Sequence, residues 1–206
     1  MSMAYIVIEG VIGVGKTALT RLLGERLGVS TFFEKFEENP FLSNFYSDRA
    51  RYAFQTEVFF LLNRYRQQQS EVQPAVMSGN VVGDYLFAKT RLFAGINLAG
   101  DELALFEQIY DALNKQVARP DLVVYLQASL DSLMSRIYQR DRSFERNMDP
   151  RYIERLSGVY EQFFEGYSDT PVLKIETAHL DLIRDAKAQQ RVIEAIVRGD
   201  LLPLST

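Results

Sequence analysis

The sequence predicts an α/β fold: a doubly wound parallel sheet of five strands in three layers, with helices on both faces. Two patterns carry this prediction. Five short apolar segments alternate with segments of helical periodicity, and a glycine-rich loop at residues 10–17 joins the first strand pattern to the first helical one. In addition, acidic residues end two strands, where ligands collect in sheets of this kind.

The first strand is predicted at residues 4–9, a short β-rich apolar run. Leucines at helical spacing predict a helix at 18–27, which stops at Gly28 because glycine ends helices without strain. Residues 30–33 predict a second strand that ends at Glu34.

In the next stretch, Pro40 can open a short helix. Aromatic and apolar residues then recur every three or four positions, which predicts a long helix at about 49–71. Gly79 breaks the chain before a third strand at 81–84, which ends in Asp84.

The rest of the chain continues the alternation. Ser129 is placed to cap the helix that follows it. The predicted helices are 103–117, 130–140, 150–167 and 185–198, and the predicted strands are 122–126 and 171–175.

Composition narrows the class of protein. We expect a single domain over residues 1–206. The net charge of −4 and the pI near 5.2 argue against nucleic acid as a partner. The chain has no cysteine, no apolar run long enough to span a membrane and no visible signal peptide, so we expect a cytoplasmic protein. His179 is the only histidine and is expected on the surface, which disfavours a Ser-His-Asp triad.

The loop at residues 10–17 fits G-x-x-x-x-G-K-[ST], the phosphate-binding loop. We expect Lys16 near the β and γ phosphates of a nucleotide and the Thr17 hydroxyl on Mg²⁺. A glycine-rich turn that binds nothing is the alternative, which the strand–helix context disfavours. Backbone N–H groups would face the phosphates at Gly10, Gly13, Val14 and Gly15.

Two carboxylates follow predicted strands. Glu34 is a candidate for the group that accepts a proton from an acceptor hydroxyl, since a carboxylate is ionised at neutral pH. The alternative is a solvated glutamate. Asp84 could organise Mg²⁺ or a sugar hydroxyl, or could cap a helix, and these roles are compatible.

Arginines crowd the end of the helix at 130–140. Arg136 and Arg140 share one face, and Arg142 follows in a charged segment. Such a segment suits a short arginine-rich lid at about 140–149 that closes over phosphates, although an exposed charged helix end would look the same.

On the long helix, Glu57 and Arg64 lie two turns apart on one face. A carboxylate that accepts two N–H bonds beside an arginine that donates to O6 and N7 matches guanine. A polar pair that faces solvent is the alternative. Aromatic residues that could sandwich a base cluster nearby, at Phe41, Phe45, Tyr46, Tyr52 and Phe59.

Together these segments resemble the deoxynucleoside kinase family, in its bacterial purine branch and closest to its deoxyguanosine kinases. The resemblance extends from the first strand to about residue 175, and implies a P-loop kinase fold. It is carried by the phosphate loop, by Glu34, by the runs 38–42 and 44–48, by Phe54-x-x-Glu57 with Arg64, and by the lid sequence at 136–145.

The resemblance implies ATP-dependent phosphorylation of a deoxynucleoside at its 5′-hydroxyl, in a homodimer often inhibited by its end-product triphosphate. Glu34 would be the base, and Tyr46 and Glu145 would hold the 3′-hydroxyl. Phosphates would be clamped by Arg136, Arg140 and Arg142.

The chain departs from the family at two places. Glu57 stands where the family usually has Gln, and Tyr85 follows Asp84 where an arginine is usual; Lys89 could supply the missing charge. Because both departures resemble the deoxyguanosine kinase branch, we expect deoxyguanosine as the acceptor. Deoxyadenosine, or both purines, stays open, as do a nucleoside monophosphate kinase and an ATP-sensing switch.

Overall fold

The computed structural model describes residues 5–178, 180 and 185–198, and His179 falls outside them. The strands are β1 (Tyr5–Gly10), β2 (Ser30–Phe32), β3 (Val81–Gly83), β4 (Leu122–Gln127) and β5 (Val172–Glu176). They form one parallel sheet in the order β2-β3-β1-β4-β5. The predicted five-stranded parallel α/β fold is therefore confirmed, and each predicted strand lies within a residue of its observed bounds.

The helices that the structure describes surround this sheet. They are α1 (Lys16–Leu27), α2 (Leu42–Ser47), α3 (Arg49–Gln67), α4 (Gln73–Ser78), α5 (Lys89–Asn97), α6 (Gly100–Asn114), α7 (Leu130–Arg140), α8 (Pro150–Gly166) and α9 (Ala186–Arg198). Single 3₁₀ turns lie at Phe36–Glu38 and Ser143–Glu145. Within residues 5–178 and 185–198, none of the helices combines the length and the apolar character that a membrane span requires.

Two helical regions differ from the sequence prediction. Helix α5 was not predicted. The long helix predicted at 49–71 ends as α3 at Gln67 and continues through a π-helical turn, Gln68–Val72, into α4. A π turn holds one more residue than an α turn, so periodicity at 3.6 residues cannot follow the helix through it.

Burial explains why β1 and β4 are uninterrupted apolar runs. Every residue of β1 and all but Gln127 of β4 are buried, as expected for central strands covered on both faces. The edge strand β5 instead alternates, with Leu173 and Ile175 buried and Lys174 exposed.

A second apolar cluster holds the helices that face the carboxyl ends of β1–β3. It fixes α2, α3, α5 and α6 against each other through Leu42, Phe45, Ala53, Leu61, Phe87, Ala94, Leu98, Phe106 and Tyr110. Fully burying each leucine or phenylalanine of this cluster contributes roughly 1.5–3 kcal/mol, so these helices form a firm wall.

The buried face of α3 is not its most apolar one. Glu57 and Arg64 are 2% and 5% exposed, whereas Leu62 is 46% exposed. The alternative that Glu57 and Arg64 form a solvent-facing pair is therefore wrong. Burying charged side chains on a helix is costly unless they have partners, which points to a site at this face.

Candidate active site

A cavity of about 750 Å³ opens where the chain leaves β1, β2 and β3. The phosphate loop forms one wall, α3 forms another, and the segment after α7 closes the third. The cavity brings together eleven of the predicted site residues, namely Gly13, Lys16, Thr17, Glu34, Tyr46, Glu57, Arg64, Asp84, Arg140, Arg142 and Glu145.

The phosphate loop requires glycine at particular positions. At Gly10, φ is +147° and an added Cβ would lie 2.5 Å from the Leu126 carbonyl oxygen. At Gly15, φ is +111° and an added Cβ would meet nothing within 4 Å, so the loop borders open space there. No side chain of the described residues caps α1, which leaves its first N–H groups for an anion.

Lys16 lies over this loop. Its ammonium group donates to the carbonyl oxygens of Gly10 at 2.7 Å and Val11 at 3.1 Å. Burial, with help from the nearby Lys89 cation, lowers the pKa of Lys16 to about 8. A bound phosphate would stabilise the charged form of Lys16, which fits its predicted place near the β and γ phosphates. The Val14 N–H, by contrast, donates to the Val11 carbonyl at 3.2 Å within the loop rather than standing free as predicted.

Asp84 and Thr17 meet at the entrance to the phosphate loop. The Thr17 hydroxyl donates to Asp84 Oδ2 at 2.7 Å, and Asp84 Oδ1 accepts from the Glu34 N–H at 2.7 Å. Burial and the Glu34 charge raise the pKa of the Asp84 carboxyl, which a cation would reverse. In the part of the chain that the structure describes, no group of three acidic, His or Cys side chains forms a metal cage. One carboxylate and one hydroxyl suit Mg²⁺, which takes its other ligands from water and substrate phosphates.

Glu34 is gripped by two buried cations. Arg64 Nε donates to Oε1 at 2.9 Å, Arg64 Nη2 donates to the same oxygen, and Lys89 Nζ donates to Oε2 at 2.7 Å. Burial opposes the charge, but Arg64 and Lys89 outweigh it and hold the pKa of the Glu34 carboxyl well below its usual value. Glu34 is therefore ionised and fixed in place at neutral pH.

Lys89 is one of the two cations beside Glu34, and its substitution for the usual arginine stays a prediction. It is 5% exposed, lies at the start of α5 and packs over the Phe93 ring at 5.5 Å. Tyr85 points elsewhere: it is buried in the core, and its hydroxyl donates to Gln67 Oε1 at 2.9 Å. The sequence hint for Lys89 was its position one helical turn past Asp84.

Glu57 and Arg64 line the same cavity but have different partners. Glu57 Oε1 accepts from Asn97 Nδ2 at 2.7 Å, and burial raises the pKa of Glu57 to about 7. Arg64 also donates from Nη1 to Thr90 Oγ1 at 2.9 Å. Its bonds to Glu34 and Thr90 engage three of its five N–H groups, which leaves two for a ligand.

The lid residues pair with one another in this structure. Arg140 forms a bidentate bond to the buried Glu145, at 2.7 and 2.6 Å. Arg142 lies over the Phe36 ring at 4.0 Å, and Tyr46 stacks on Phe144 with ring centroids 6.0 Å apart. The carboxylate predicted for the sugar and an arginine predicted for the phosphates thus neutralise each other.

Arg136 does not line this cavity, and its role as a phosphate clamp stays a prediction. Its Nη1 donates to the Val14 carbonyl at 3.1 Å and to Thr177 Oγ1 at 3.0 Å, and its Nη2 donates to the Thr177 carbonyl at 2.7 Å. The reason is positional: Arg136 faces the back of the phosphate loop and ties it to the end of β5.

Several site residues were not foreseen. Of the aromatic side chains proposed to hold a base, Phe45 and Tyr46 line the cavity and Phe41, Tyr52 and Phe59 do not. The unforeseen lining side chains include Phe36, Leu42, Thr56, Phe60, Phe93 and Phe144. Helical spacing cannot say which turn of α3 faces the cavity, so sequence carried no signal for Thr56 and Phe60. The other four lie on other elements, which only the tertiary packing brings to the cavity.

Glu9 is a further unforeseen residue, fully buried at the end of β1. Its Oε1 accepts from the Gly10 N–H at 2.8 Å and the Tyr160 hydroxyl at 3.1 Å, and its Oε2 accepts from the Leu86 N–H at 2.7 Å. It therefore ties the start of the phosphate loop to the segment after Asp84.

The cavity thus combines a phosphate loop that can bind an anion with the fixed carboxylate of Glu34. Beside them lies a chamber of apolar and polar side chains, with the buried carboxyl of Glu57 at its wall. This arrangement can hold a polyphosphate donor against a hydroxyl acceptor.

Comparisons with known proteins agree with this chemistry. The family model described as deoxynucleoside kinase matches residues 6–199. A deoxyguanosine kinase of Bacillus subtilis (strain 168) is 33% identical over 193 residues, covering 91% of this chain and 93% of that protein. A deoxyadenosine kinase of Lactobacillus acidophilus is 32% identical over 205 residues, covering 93% of this chain and 94% of that protein.

Solved structures give the same fold. Deoxyadenosine kinase from M. mycoides with bound dCTP matches with a TM-score of 0.78 and 25% identity, covering 95% of this chain and 99% of that chain.

Proposed function

Since the chain belongs to the deoxynucleoside kinase family, we propose that it transfers the γ-phosphoryl group of ATP to the 5′-hydroxyl of a purine deoxynucleoside, deoxyguanosine in preference to deoxyadenosine. The observation that carries the choice of a guanine base is Glu57, a buried carboxylate on the cavity wall. An ionised carboxylate only accepts hydrogen bonds, and the edge of guanine offers adjacent N–H donors.

The donor site is built from the phosphate loop. Lys16 and the free N–H groups of α1 hold the β and γ phosphates of ATP. Thr17 and Asp84 would hold Mg²⁺, which would supply neutralisation of charge at the donor phosphates. Arg140 and Arg142 bring positive charge from the lid to the phosphates. For this, Arg140 must release Glu145 and bind a phosphate instead.

The acceptor hydroxyl is activated by Glu34. Its carboxylate takes the proton as the 5′-oxygen bonds to the γ-phosphorus, while the bond from that phosphorus to the bridging oxygen of ADP breaks. A base with a lowered pKa suffices here because the transition state is loose and the proton moves late. Arg64 and Lys89 keep this carboxylate ionised and aimed.

The sugar and the base of the deoxynucleoside would lie on either side of the Glu34 carboxylate. Tyr46 and the Glu145 carboxylate, which line the cavity, would hold the 3′-hydroxyl, which favours deoxyribose over ribose. Phe45 and Phe60 border the chamber for the base, with Glu57 at its edge.

Deoxyadenosine, alone or with deoxyguanosine, is the second candidate, because relatives of comparable identity are named for each purine. A nucleoside monophosphate kinase is disfavoured because Glu34 would repel an acceptor phosphate. An ATP-sensing switch would not need a carboxylate beside a base chamber. A homodimer in the cytoplasm, with no nucleic-acid partner, remains our prediction.

The test is initial rates with ATP and Mg²⁺ for each of the four deoxynucleosides and the two purine ribonucleosides. We expect the highest kcat/KM for deoxyguanosine, a lower one for deoxyadenosine and little activity with ribonucleosides. Glu57→Gln should shift preference toward adenine, since an amide both donates and accepts. Preference for a pyrimidine, or an unchanged preference in Glu57→Gln, would contradict the proposal.

A further inference from the structure

The two oxygens of Glu57 are not equivalent. Oε1 accepts from Asn97 Nδ2 at 2.7 Å, whereas Oε2 is buried and has no hydrogen-bond partner among the described residues. A buried carboxylate oxygen without a partner has lost its hydrogen bonds to water and gained none in return, which is costly. Since Glu57 lines the cavity, Oε2 is the oxygen kept for a ligand.

Asn97 is itself held in place. It is the last residue of α5, and its Nδ2 also reaches the Tyr152 hydroxyl of α8 at 3.4 Å. Arg49 covers the Tyr152 ring at 3.8 Å. The amide therefore presents its donor side to Glu57 and is fixed from a second helix.

The charged and titratable groups that act on Glu57 come from several elements. Arg64 lies on α3, Glu34 follows β2, and Lys89 opens α5. From α8, Tyr152 faces the same carboxyl through Asn97. Glu34 offsets part of the charge of Arg64 and Lys89, and burial remains the largest influence on the pKa of Glu57.

We propose that Asn97 is a positioning residue that leaves Glu57 Oε2 to meet the ring N1 of a purine, as acceptor when ionised and as donor when protonated, so that base preference changes with pH. This inference rests on the proposed function, because it needs both purine deoxynucleosides to be substrates.

The two protonation states match different bases. The ionised form accepts from the N1–H and N2–H groups of guanine. The protonated form donates from Oε2 to N1 of adenine, while Oε1 accepts from the N6–H group. Each carboxylate oxygen has two lone pairs, so Oε1 can keep its bond to Asn97 in both cases.

Glu57 changes its protonation state near neutral pH, so both forms occur in the range where the enzyme can be assayed. Burial raises its pKa to about 7, and the bond from Asn97 works in the opposite direction. Below that pH the protonated form dominates and favours adenine, and above it the ionised form favours guanine. Removing the Asn97 donor, or replacing it with a charge of the same sign as the carboxylate, should move the change to higher pH.

The experiment measures kcat/KM for deoxyguanosine and deoxyadenosine across pH and follows their ratio. The ratio cancels titration of ATP, Lys16 and Glu34, which affect both substrates alike. We expect it to rise roughly tenfold or more through neutral pH, since a mispaired buried group costs at least about 1.4 kcal/mol. In Glu57→Gln the ratio should be constant with pH.

Variants at Asn97 test its part. In Asn97→Asp and Asn97→Ala the midpoint of the ratio should move up by about one pH unit or more. Asn114→Asp, which makes the same change at the last residue of α6, should leave it in place. A melting curve for each variant confirms that it folds.

The outcomes separate the inference from the function. A wild-type ratio that is constant with pH, or activity with one purine at every pH, overturns the inference and leaves the kinase proposal intact. Equal losses for both purines in Asn97→Ala without a change of midpoint would make Asn97 merely structural and overturn its assigned role. Failure to phosphorylate either purine would instead overturn the proposed function, and the inference with it.

Discussion

At the scale of single residues, the site depends on how Glu34 is kept ionised while buried. Two cations share the work, Arg64 on α3 and Lys89 at the start of α5. Burial disfavours the ionised form of a carboxylate, and neighbouring cations offset that cost. When one of two cations is removed, less of the cost is offset, so the pKa of the carboxylate rises. Lys89 therefore acts on the reaction through Glu34.

We predict that Lys89→Met lowers kcat by roughly 100-fold, comparable to the removal of one charge-stabilising donor from an active site. It should also shift the acid limb of the pH profile of kcat to higher pH by roughly 1–2 units, because Glu34 then protonates at higher pH. Lys89→Arg should restore much of both. Rates measured across pH check these expectations.

Arg91→Met is the matched control for this prediction. Arg91 lies two residues further along α5 and pairs with Glu107 on the surface, at 2.8 Å. It should leave kcat and the acid limb unchanged. A profile for Lys89→Met that superimposes on the wild-type profile would show that Arg64 alone holds Glu34.

Sequence predicted the residues that local pattern fixes and missed those that tertiary packing selects. Glu34 and Asp84 could be predicted because a strand end fixes where its next side chain lies. Asn97 and Glu9 could not, since each acts through partners from distant parts of the chain. The contacts of Arg136 with Val14 and Thr177 could not be predicted either, because helical spacing gives a face but not what that face meets.

At the scale of elements, α7 and the phosphate loop form one unit. Arg136 connects the Val14 carbonyl to Thr177 at the end of β5. Hydrogen bonds from a charged donor contribute about 1.5–3 kcal/mol each at most. The loop is thus held in shape before any nucleotide arrives.

We predict that Arg136→Met lowers the free energy of unfolding by about 2–3 kcal/mol and speeds amide exchange at residues 10–17 in the nucleotide-free protein. Exchange detected by mass spectrometry and a denaturant titration measure the two effects. Arg140→Met, one turn further along α7, should leave loop exchange unchanged. Normal exchange and stability with a large loss of kcat would instead support the sequence prediction that Arg136 acts on phosphates.

Prediction of the elements failed where their regularity is interrupted. The strands and α7 could be predicted because their apolar periodicity is unbroken. The helix that starts at Arg49 could be predicted but not its end, because the π turn at Gln68–Val72 shifts the face that is buried. Helix α5 was missed since its buried residues include Lys89 and Thr90, which look like surface residues in sequence.

At the scale of the whole molecule, the remaining question is how the chain assembles. Leu62 on α3 and Leu105 on α6 are 46% and 47% exposed, and these two helices pack side by side. A single exposed leucine is ordinary, but two on adjacent helices fit the predicted homodimer interface. The site does not open on this face, so assembly would leave the cavity wall unchanged.

We predict a dimer in solution, with α3 and α6 at its interface, and a monomer for the combined variant Leu62→Glu and Leu105→Glu. A two-fold interface repeats each substitution, so four charges would have to be buried, which costs far more than the roughly 1.5–3 kcal/mol that each buried leucine contributes. Light scattering after size exclusion, over a range of concentrations, measures the mass. Val197→Glu is the control, since Val197 is 55% exposed on α9, away from both helices, and should stay dimeric. A monomeric wild-type chain would overturn the predicted dimer, and a dimer that survives the double substitution would place its interface elsewhere.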